Sequence, residues 1–474
     1  MRYSTALSGY LHARASSHLL RADGQEDLCF AIWYPSQGNS RLTMVVQDLV
    51  LPEPRDRRVH GNVSFEAQYF ERALGAAVDS GGGLAFLHSH PDGHGWQGMS
   101  SDDVKAEMRL AGSVAGATGL PILGMTIAGD QAWSARVWTR SGPRKYERRW
   151  CESVRVVGKE MAVTSANRPT PVRSARLART ISGWGLVIQE SLQELHVGVI
   201  GAGSVGSLVA EALARMGIRR ITLMDFDTIE EINLDRVLHS TDADVRAKRA
   251  KVVALARGLR QTATAKKIIA TPLEWSVVEE EGFRAALDCD VLFSCVDRPW
   301  PRQALNLIAY AHLIPVIDGG VRLEPRRDGH GLKRGDVRAH TASPGRACFE
   351  CLRIFDPADV GLERSGQLDD AAYVAGLPPT HRLRVRQNVF TFSMLAAALE
   401  TLQFLSLIVS PGGLSDPGAQ TYHFVPGSLD SGFLECEVGC PYAAVIGRGD
   451  RSGITVTGRH LSAELARSSR ASHT

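Results

Sequence analysis

The sequence predicts an α/β protein with two domains, the second of which is a doubly wound parallel sheet. Its 474 residues exceed what one ordinary hydrophobic core organises. Short apolar runs typical of strands alternate along the chain with longer stretches typical of helices. In the second half, a strand, a Gly-rich turn and a helix at VGVIGAGSVG open a repeating β-α-β series.

The predicted elements divide the chain into four parts. Residues 1–145 form the first domain, with strands at 28–34, 42–51, 84–88 and 122–127 and helices at 65–78 and 101–115. Residues 146–172 are basic and then rich in Thr, Ser, Asn and Pro, which indicates a linker. Residues 173–447 form the second domain, with strands at 196–200, 220–225, 291–295 and 315–318. The polar tail at 448–474 is predicted to be flexible.

Composition indicates a soluble globular protein, with 44% hydrophobic and 22% charged residues. A net charge of +3 is too small for the electrostatic footprint of a nucleic-acid binder. The N-terminus has no signal-peptide pattern, and the apolar stretch 389–410 is interrupted by Glu400, Thr401 and Gln403, which favours a core helix over a membrane span. Eight cysteines, four of them spaced like metal ligands, favour a reducing cytoplasm.

A candidate zinc site lies in LHSHPDGHGWQGMSSDD. His88 and His90 occupy alternate positions of a predicted strand, so both imidazoles point to one face. Asp103, at the start of the next helix, can add an oxygen ligand. Three protein ligands leave an open position, as in catalytic zinc sites. Glu26 is the candidate general base, and Ser100 is the candidate donor to a tetrahedral oxyanion.

These residues resemble the signature of the JAB/JAMM metallopeptidases: His-x-His-Pro, a spacer, Ser-x-x-Asp and an upstream glutamate. The match includes Pro91 and covers residues 1–140, although Gly93, His94 and Gly95 lengthen the spacer. The resemblance implies that His88, His90 and Asp103 hold catalytic Zn²⁺. It also implies an isopeptidase that cleaves after the C-terminal glycine of a ubiquitin-like protein, either to trim a precursor or to remove a tag.

A candidate nucleotide site follows in the second domain. Gly201, Gly203 and Gly206 lie between a strand and a helix, where backbone N–H groups can bind phosphate. A dinucleotide dehydrogenase with Asp225 on the ribose would also fit this turn. Polar residues at two strand ends favour an ATP-dependent activating enzyme over a dehydrogenase. Activation of a carboxylate by ATP needs cations and magnesium, whereas hydride transfer does not. These polar residues are Asp225, Asp227, Asn233, Arg236, Asp297, Arg302 and Asn306.

The pattern over 173–445 resembles the ThiF/MoeB family of ubiquitin-activating-type enzymes. The resemblance implies a Rossmann-like adenylation domain in which Asp225 binds the ribose, Asn233 and Arg236 contact the phosphates, and Asp297 binds Mg²⁺. It implies a homodimer in which Arg179 reaches the partner's ATP. The resemblance also implies a lysine downstream of Arg236. In strict register this position holds Arg249, with Lys248 beside it.

Four cysteines form two widely spaced clusters, Cys348 with Cys351 and Cys436 with Cys440. Within the family pattern they predict a structural zinc site, although unrelated buried thiols are the simpler alternative. The other four are Cys29, Cys151, Cys289 and Cys295. None lies where a thioester-forming nucleophile is expected, so the domain is predicted to adenylate only, with the acyl-adenylate attacked by a thiol on another protein.

The combined prediction is a bifunctional cytoplasmic protein of a bacterial ubiquitin-like system, a context that in this family is sometimes linked to antiviral defence. It would use ATP, Mg²⁺ and Zn²⁺. Its partners would be a small β-grasp protein with a C-terminal glycine and a conjugating-enzyme-like protein, with no nucleic acid or membrane. The nearest alternative is activation and trimming of a sulfur carrier for cofactor or cysteine biosynthesis. A non-catalytic scaffold and an NAD-dependent oxidoreductase are the alternatives from other classes.

Overall fold

A computed structural model of the chain describes residues 1–60, 62–167, 174–326, 328, 330–377 and 387–471. Residues 168–172 of the predicted linker, the predicted domain start at 173 and residues 472–474 lie outside this part. The chain forms two compact units. The first contains Met1–Pro169 with Ala311–Leu313 and Ala444–Gly453, and the second contains Thr170–Tyr310, Ile314–Ala443 and Ile454–Thr474.

The first unit is built on a nine-stranded mixed sheet with the order β11-β10-β1-β3-β2-β6-β7-β8-β9. Its strands are β1 (Arg2–Ser8), β2 (Leu28–Gln37), β3 (Arg41–Val50), β6 (Gly83–His90), β7 (Ile122–Ala128), β8 (Trp133–Gly142), β9 (Lys145–Trp150), β10 (Ser153–Val157) and β11 (Met161–Ser165). A separate hairpin pairs β4 (Arg57–His60) with β5 (Asn62–Phe65). The helices are α1 (Gly9–Leu19), α2 (Ala67–Asp79) and α3 (Ser101–Thr118).

Both faces of this sheet are buried, because strand residues alternate between two hydrophobic cores. In β6, Leu84 and Phe86 pack with residues of α2 and α3. Ala85 and Leu87 pack on the other face, with residues of α1. The α/β class predicted for this part and its four predicted strands and two helices are present, with ends shifted by a few residues.

The structure differs from the predicted linker at 146–172. Residues 145–165 form β9, β10 and β11, which extend both edges of the sheet. Strand β10 pairs in parallel with β1 and buries Val154 and Val157, so its apolar residues complete the core. The basic composition misled the prediction because β9 is an edge strand, and edge strands carry charge.

The second unit contains an eight-stranded sheet with the order β14-β13-β12-β15-β16-β17-β18-β19. The first five strands in this order are mutually parallel, and the rest pair antiparallel. They are β12 (His196–Ile200), β13 (Arg220–Met224), β14 (Ile269–Leu273), β15 (Val291–Ser294), β16 (Val316–Pro325), β17 (Leu332–Ala342), β18 (Ala419–His423) and β19 (Ser428–Gly432). The predicted parallel sheet is confirmed for all four of its predicted strands.

Twelve further helices are described outside the first 170 residues. They are α4 (Ala178–Trp184), α5 (Leu186–Glu194), α6 (Ser204–Arg215), α7 (Asp242–Arg246), α8 (Lys251–Thr262), α9 (Glu280–Ala286), α10 (Pro299–Ala311), α11 (Pro357–Arg364), α12 (Ala371–Gly376), α13 (Phe390–Val409), α14 (Pro441–Ala444) and α15 (Leu461–Ala471). The last of these differs from the predicted flexible tail. It belongs to the second unit, and both its Ala463 and the upstream Val456 are buried there.

Helix α13 is the one described helix that is long and apolar enough to cross a membrane. Half of its most apolar window is buried, and it packs against α6, β16 and β17. Glu400 and Gln403 are fully buried on it, which agrees with the predicted core helix. The Cys295 thiol lies 3.5 Å from Glu400 Oε2, and Asp318, Arg302 and Arg338 carry the nearby charges.

We expect Glu400→Gln to change how stability depends on pH. Burial, with the Asp318 carboxylate, raises the pKa of Glu400 well above its usual value. The folded protein therefore binds this proton more tightly than the unfolded chain, whose glutamates titrate near 4.3, so stability falls as pH rises above that value. Thermal unfolding of Glu400→Gln should show a smaller loss between pH 5 and 8 than the native protein. The exposed control Glu280→Gln should keep the native slope, and equal slopes in all three would contradict the assignment.

Candidate functional site

In the first unit, the carboxyl end of β6 and the start of α3 bring three predicted ligands together. His88 and His90 have the same parity as Phe86 and therefore lie on the face covered by α3. Each imidazole Nε2 lies 3.6 Å from an oxygen of Asp103. One ligand atom from each of the three residues lies within 4.8 Å of the others, so the three side chains form a compact candidate set of metal ligands.

Ser100 orients the aspartate. It is the N-cap of α3, and its hydroxyl oxygen accepts the N–H of Asp103 at 3.1 Å. The Asp103 carboxylate in return accepts the Ser100 N–H at 2.8 Å, which closes a capping box. The structure therefore gives Ser100 a helix-capping contact that the sequence analysis did not assign.

The protonation states of these side chains suit a divalent cation. Burial lowers the pKa of His88 to about 3, so its imidazole is neutral at physiological pH. Burial alone would raise the pKa of Asp103, but the contacts with His90 and His88 outweigh it and hold that pKa below its usual range. Neutral imidazole and ionised carboxylate are the forms that bind metal. Nδ1 of His88 is also buried without a hydrogen-bond partner among the described residues.

The adjacent acidic residues Glu26 and Asp27 have different surroundings. Asp27 is buried, and its carboxylate accepts Nη2 of Arg57 at 2.8 Å. Its N–H donates to the Ser89 hydroxyl at 2.9 Å, which ties the loop to the residue between the two histidines. Glu26 is only partly buried and interacts electrostatically with His90 and Asp103. Burial, with the negative charge of Asp103, raises the pKa of Glu26, which suits a general base.

The sequence did not predict that Gln97 contacts His90. The Gln97 side-chain amide nitrogen donates to the carbonyls of His94 at 2.9 Å and Gly95 at 3.2 Å. That orientation turns Oε1 toward Nδ1 of His90, 3.4 Å away. An acceptor there favours the tautomer with the proton on Nδ1, which leaves Nε2 for a metal. The long glycine-rich spacer makes this contact possible, because a Cβ at Gly93 would lie 2.4 Å from Oε1 of Gln97.

In the second unit, the Gly-rich turn closes tightly after β12. Gly201 has φ of +98°, and a Cβ there would lie 2.4 Å from the carbonyl oxygen of Cys295. A Cβ on Gly206 would lie 1.8 Å from the Gly201 carbonyl oxygen, so α6 can pack onto the turn only with glycine. Gly203 is the N-cap of α6, where free N–H groups can bind an anion.

The acidic turn after β13 lies beside this loop. Asp225 accepts the N–H of Ala202 at 2.7 Å and the N–H of Asp227 at 2.8 Å. Lys251, the first residue of α8, places Nζ 2.7 Å from Asp227 Oδ2. Burial lowers the pKa of Lys251, but the charges of Asp225, Asp227 and Asp297 outweigh it and the net shift is upward. The ammonium group therefore stays charged among three carboxylates.

The structure places this lysine differently from the sequence analysis. Lys248 is exposed in a turn with φ of +45°, and Nε of Arg249 lies 2.6 Å from Asp244 Oδ1. Helix α7 and this turn add residues after Arg236 that the predicted register did not allow for. The lysine near the carboxylates is therefore Lys251. One local sequence feature could have identified Lys251: it directly precedes the apolar run VVALA and begins helix α8.

The other predicted nucleotide-site residues lie in loops and on a short helix. Asn233 and Arg236 lie in the loop after β13, where Asn233 accepts the Glu230 N–H at 3.0 Å and Arg236 donates to the Ile232 carbonyl at 2.6 Å. Asp297 is exposed after β15, and Arg179 is exposed on the short helix α4.

Two residues that the sequence analysis grouped with Asp297 have structural contacts instead. Arg302 lies 3.0 Å from Asp318, and Asn306 is buried and accepts the Phe349 N–H at 2.9 Å. Helix α10 points both side chains inward.

The four predicted zinc cysteines form a second candidate metal centre. The sulfurs of Cys348, Cys351, Cys436 and Cys440 all lie within 4.8 Å of one another. Backbone N–H groups donate to three of them: that of Cys348 to Cys436 Sγ, that of Cys351 to Cys348 Sγ and that of Glu437 to Cys351 Sγ. Such bonds stabilise thiolates, and four thiolates suit a closed tetrahedral zinc site. Of the other cysteines, Cys29, Cys151 and Cys289 are buried and Cys295 is partly buried.

Comparisons with known proteins bear on the second unit. The chain is 29% identical over 170 residues to molybdopterin-synthase adenylyltransferase of Escherichia coli (strain K12), covering 35% of this chain and 62% of that protein. It is 30% identical over 203 residues to ubiquitin-like modifier-activating enzyme 5 of Drosophila willistoni, covering 40% of this chain and 47% of that protein. The chain thus spans about half to two thirds of the length of these relatives.

Among solved structures, E. coli MccB with ATP aligns over 57% of this chain and 75% of its own, with 19% identity and a TM-score of 0.43. A sequence model of the ThiF family matches residues 175–417, slightly more than half of the chain. The chain therefore belongs to the ThiF family.

Proposed function

We propose that the second unit binds Mg²⁺-ATP and adenylates the C-terminal glycine of a small ubiquitin-like protein. The observation that carries this proposal is the arrangement of Asp225, Asp227 and Lys251 around the Gly201 turn. The names of the relatives, an adenylyltransferase and an enzyme that activates a ubiquitin-like modifier, support it.

The proposed reaction joins a carboxylate to AMP. A carboxylate oxygen of the terminal glycine attacks the α-phosphorus of ATP, the bond to the β-phosphate oxygen breaks, and pyrophosphate leaves. Asp225 binds the ribose, while Asn233 and Arg236 contact the phosphates. Lys251 neutralises charge that develops on the phosphates, which is the main requirement of such a transition state. Asp297 would hold Mg²⁺, which supplies further neutralisation when bound.

The product and its use extend the proposal. Cys29, Cys151 and Cys289 are buried, and the partly buried Cys295 thiol lies 3.5 Å from Glu400 Oε2. The acyl-adenylate would therefore pass to a thiol on another protein, such as a conjugating-enzyme-like partner. Arg179 would reach the nucleotide of a second copy in a homodimer. We place the reaction in the cytoplasm, in a bacterial ubiquitin-like system that can serve antiviral defence. The alternative, activation of a sulfur carrier, is favoured by the molybdopterin-synthase adenylyltransferase relative.

We further propose that the first unit, which resembles JAB/JAMM metallopeptidases, cleaves after the same glycine. The convergence of His88, His90 and Asp103 beside Glu26 supports this. Bound Zn²⁺ would supply an acidified water. Glu26 would take the proton of that water and return it to the leaving amine, and the Ser100 hydroxyl would donate to the oxyanion. The four cysteines of the second unit would hold a structural Zn²⁺.

Nucleotide selectivity tests the first proposal. ATP with Mg²⁺, at about 100 times its Kd, should stabilise the protein against heat by about 2.7 kcal/mol, whereas NAD should not. Stabilisation by NAD instead would support an oxidoreductase and contradict the proposal.

Gln97→Ala should weaken zinc binding by the first unit about 10- to 100-fold, because His90 loses the acceptor that fixes its tautomer. Competition with a chromophoric chelator measures the zinc Kd directly, without reference to activity. Gln97→Glu keeps an acceptor and should bind zinc at least as tightly as the native protein. Unchanged affinity in Gln97→Ala would show that the contact does not orient the ligand.

A further inference from the structure

The C-terminal segment, residues 454–471, runs along the carboxyl ends of the parallel strands in the second unit. The Gly458 N–H donates to the Val278 carbonyl at 2.8 Å, and the indole N–H of Trp300 donates to the Val456 carbonyl at 2.7 Å. Trp300 lies at the start of α10, which follows β15, and Val278 follows β14. The segment therefore contacts the chain after two parallel strands that β13 and β12 separate in the sheet.

The same segment holds the acidic turn of the candidate nucleotide site. Phe226 lies between Asp225 and Asp227. The His460 ring packs edge-on against the Phe226 ring, with centroids 5.1 Å apart, and also against Trp300. Nη1 of Arg470 donates to the Phe226 carbonyl at 2.9 Å. The segment therefore contacts both the side chain and the backbone of the residue between the two carboxylates.

Salt bridges fix α15 in this position. Nη2 of Arg470 lies 2.6 Å from Glu274, which follows β14. Arg467 forms two hydrogen bonds to the carboxylate of Glu279 and lies over the Trp275 ring. Arg470 and Arg467 have exposed fractions of only 14% and 22%, so these contacts are less screened than surface pairs.

We propose that Arg470 and His460 are positioning residues for the nucleotide: they fix the Phe226 peptide so that Asp225 and Asp227 keep the orientation that binds ATP. This inference rests on the proposed adenylation function. It gives the C-terminal segment a role in adenylation although it lies outside the part that the family sequence model matches. Any ligand or fusion that displaces α15 would then weaken ATP binding.

Titration calorimetry with the non-hydrolysable analogue AMPCPP and Mg²⁺ tests this on the full chain. Arg470→Ala should raise the Kd about 5- to 30-fold, the range expected when one hydrogen bond and one ion pair are lost. Arg470→Lys keeps a donor and a charge and should recover most of the affinity. Arg459→Ala, which removes an exposed ion pair with Glu464 in the same segment, should bind as the native protein does.

A second variant separates positioning from folding. Glu274→Gln leaves Arg470 in place but removes its ion-pair partner, and it should raise the Kd in the same direction by a smaller factor. In ATP–pyrophosphate exchange, these variants should raise KM for ATP more than they lower kcat, while the melting temperature without nucleotide changes little. Native-like Kd values for Arg470→Ala and Glu274→Gln would overturn the inference. Failure of the native protein to bind AMPCPP would instead remove the proposed function itself.

Discussion

Glu26→Gln should lower kcat for cleavage after the C-terminal glycine by about 10²- to 10⁴-fold, the usual contribution of a general base. Glutamine has the same shape as glutamate but cannot take the proton. The zinc Kd should stay within a few-fold of native because Glu26 is not among the three ligand residues. Since the pKa of Glu26 is raised, native activity should fall as pH decreases through a value above that of an ordinary glutamate.

The measurement uses a ubiquitin-like protein fused through its terminal glycine to a short peptide, with cleavage followed by mass spectrometry. Glu53→Gln is the control, since Glu53 is exposed and its carboxylate lies 3.7 Å from Nε of Arg72. We expect it to cleave at the native rate. A fully active Glu26→Gln enzyme would exclude this residue as the base, and equal losses in both variants would indicate a general effect of charge.

Lys251→Ala should lower kcat/KM for adenylation by about 10²- to 10³-fold, comparable with loss of one preorganised donor to a developing anion. The Lys251 ammonium group, at the start of α8, lies among the carboxylates at the strand ends, and its side chain is only 13% exposed. Without it, nothing at that position offsets the charge that the departing pyrophosphate develops.

Lys248→Ala provides the matched control for this prediction. Lys248 has the same charge three residues earlier but is exposed in a turn, so its removal should leave kcat/KM within about twofold of native. Pyrophosphate release, measured with a coupled phosphate assay, gives both values. A large loss in Lys248→Ala with little change in Lys251→Ala would contradict the position we assign to the lysine.

Local sequence patterns predicted which side chains lie close together where the residues belong to one short run or to strand ends. The alternation in β6 fixes His88 and His90 on one face, and parallel strands bring Asp225 near the Gly-rich turn. The pattern failed where a loop changes the register. Lys251 was missed because α7 and the following turn intervene between it and Arg236.

Composition also misled the prediction in the segments that come before and after the second domain. Residues 145–165 are basic, yet they complete a sheet whose other strands are distant in sequence. The Ser- and Arg-rich tail is polar, yet Arg467 and Arg470 bind acidic residues that follow β14. Gln97 could not be assigned at all, because its role depends on how the spacer folds back onto His90. Such contacts depend on tertiary structure and have no local signature.

The central claim is tested most directly by ATP–pyrophosphate exchange with the purified protein and candidate small ubiquitin-like proteins. The account predicts exchange that requires the partner's C-terminal glycine and disappears in Asp297→Ala. A lack of exchange with any candidate, by a protein that still binds ATP, would contradict the adenylation proposal.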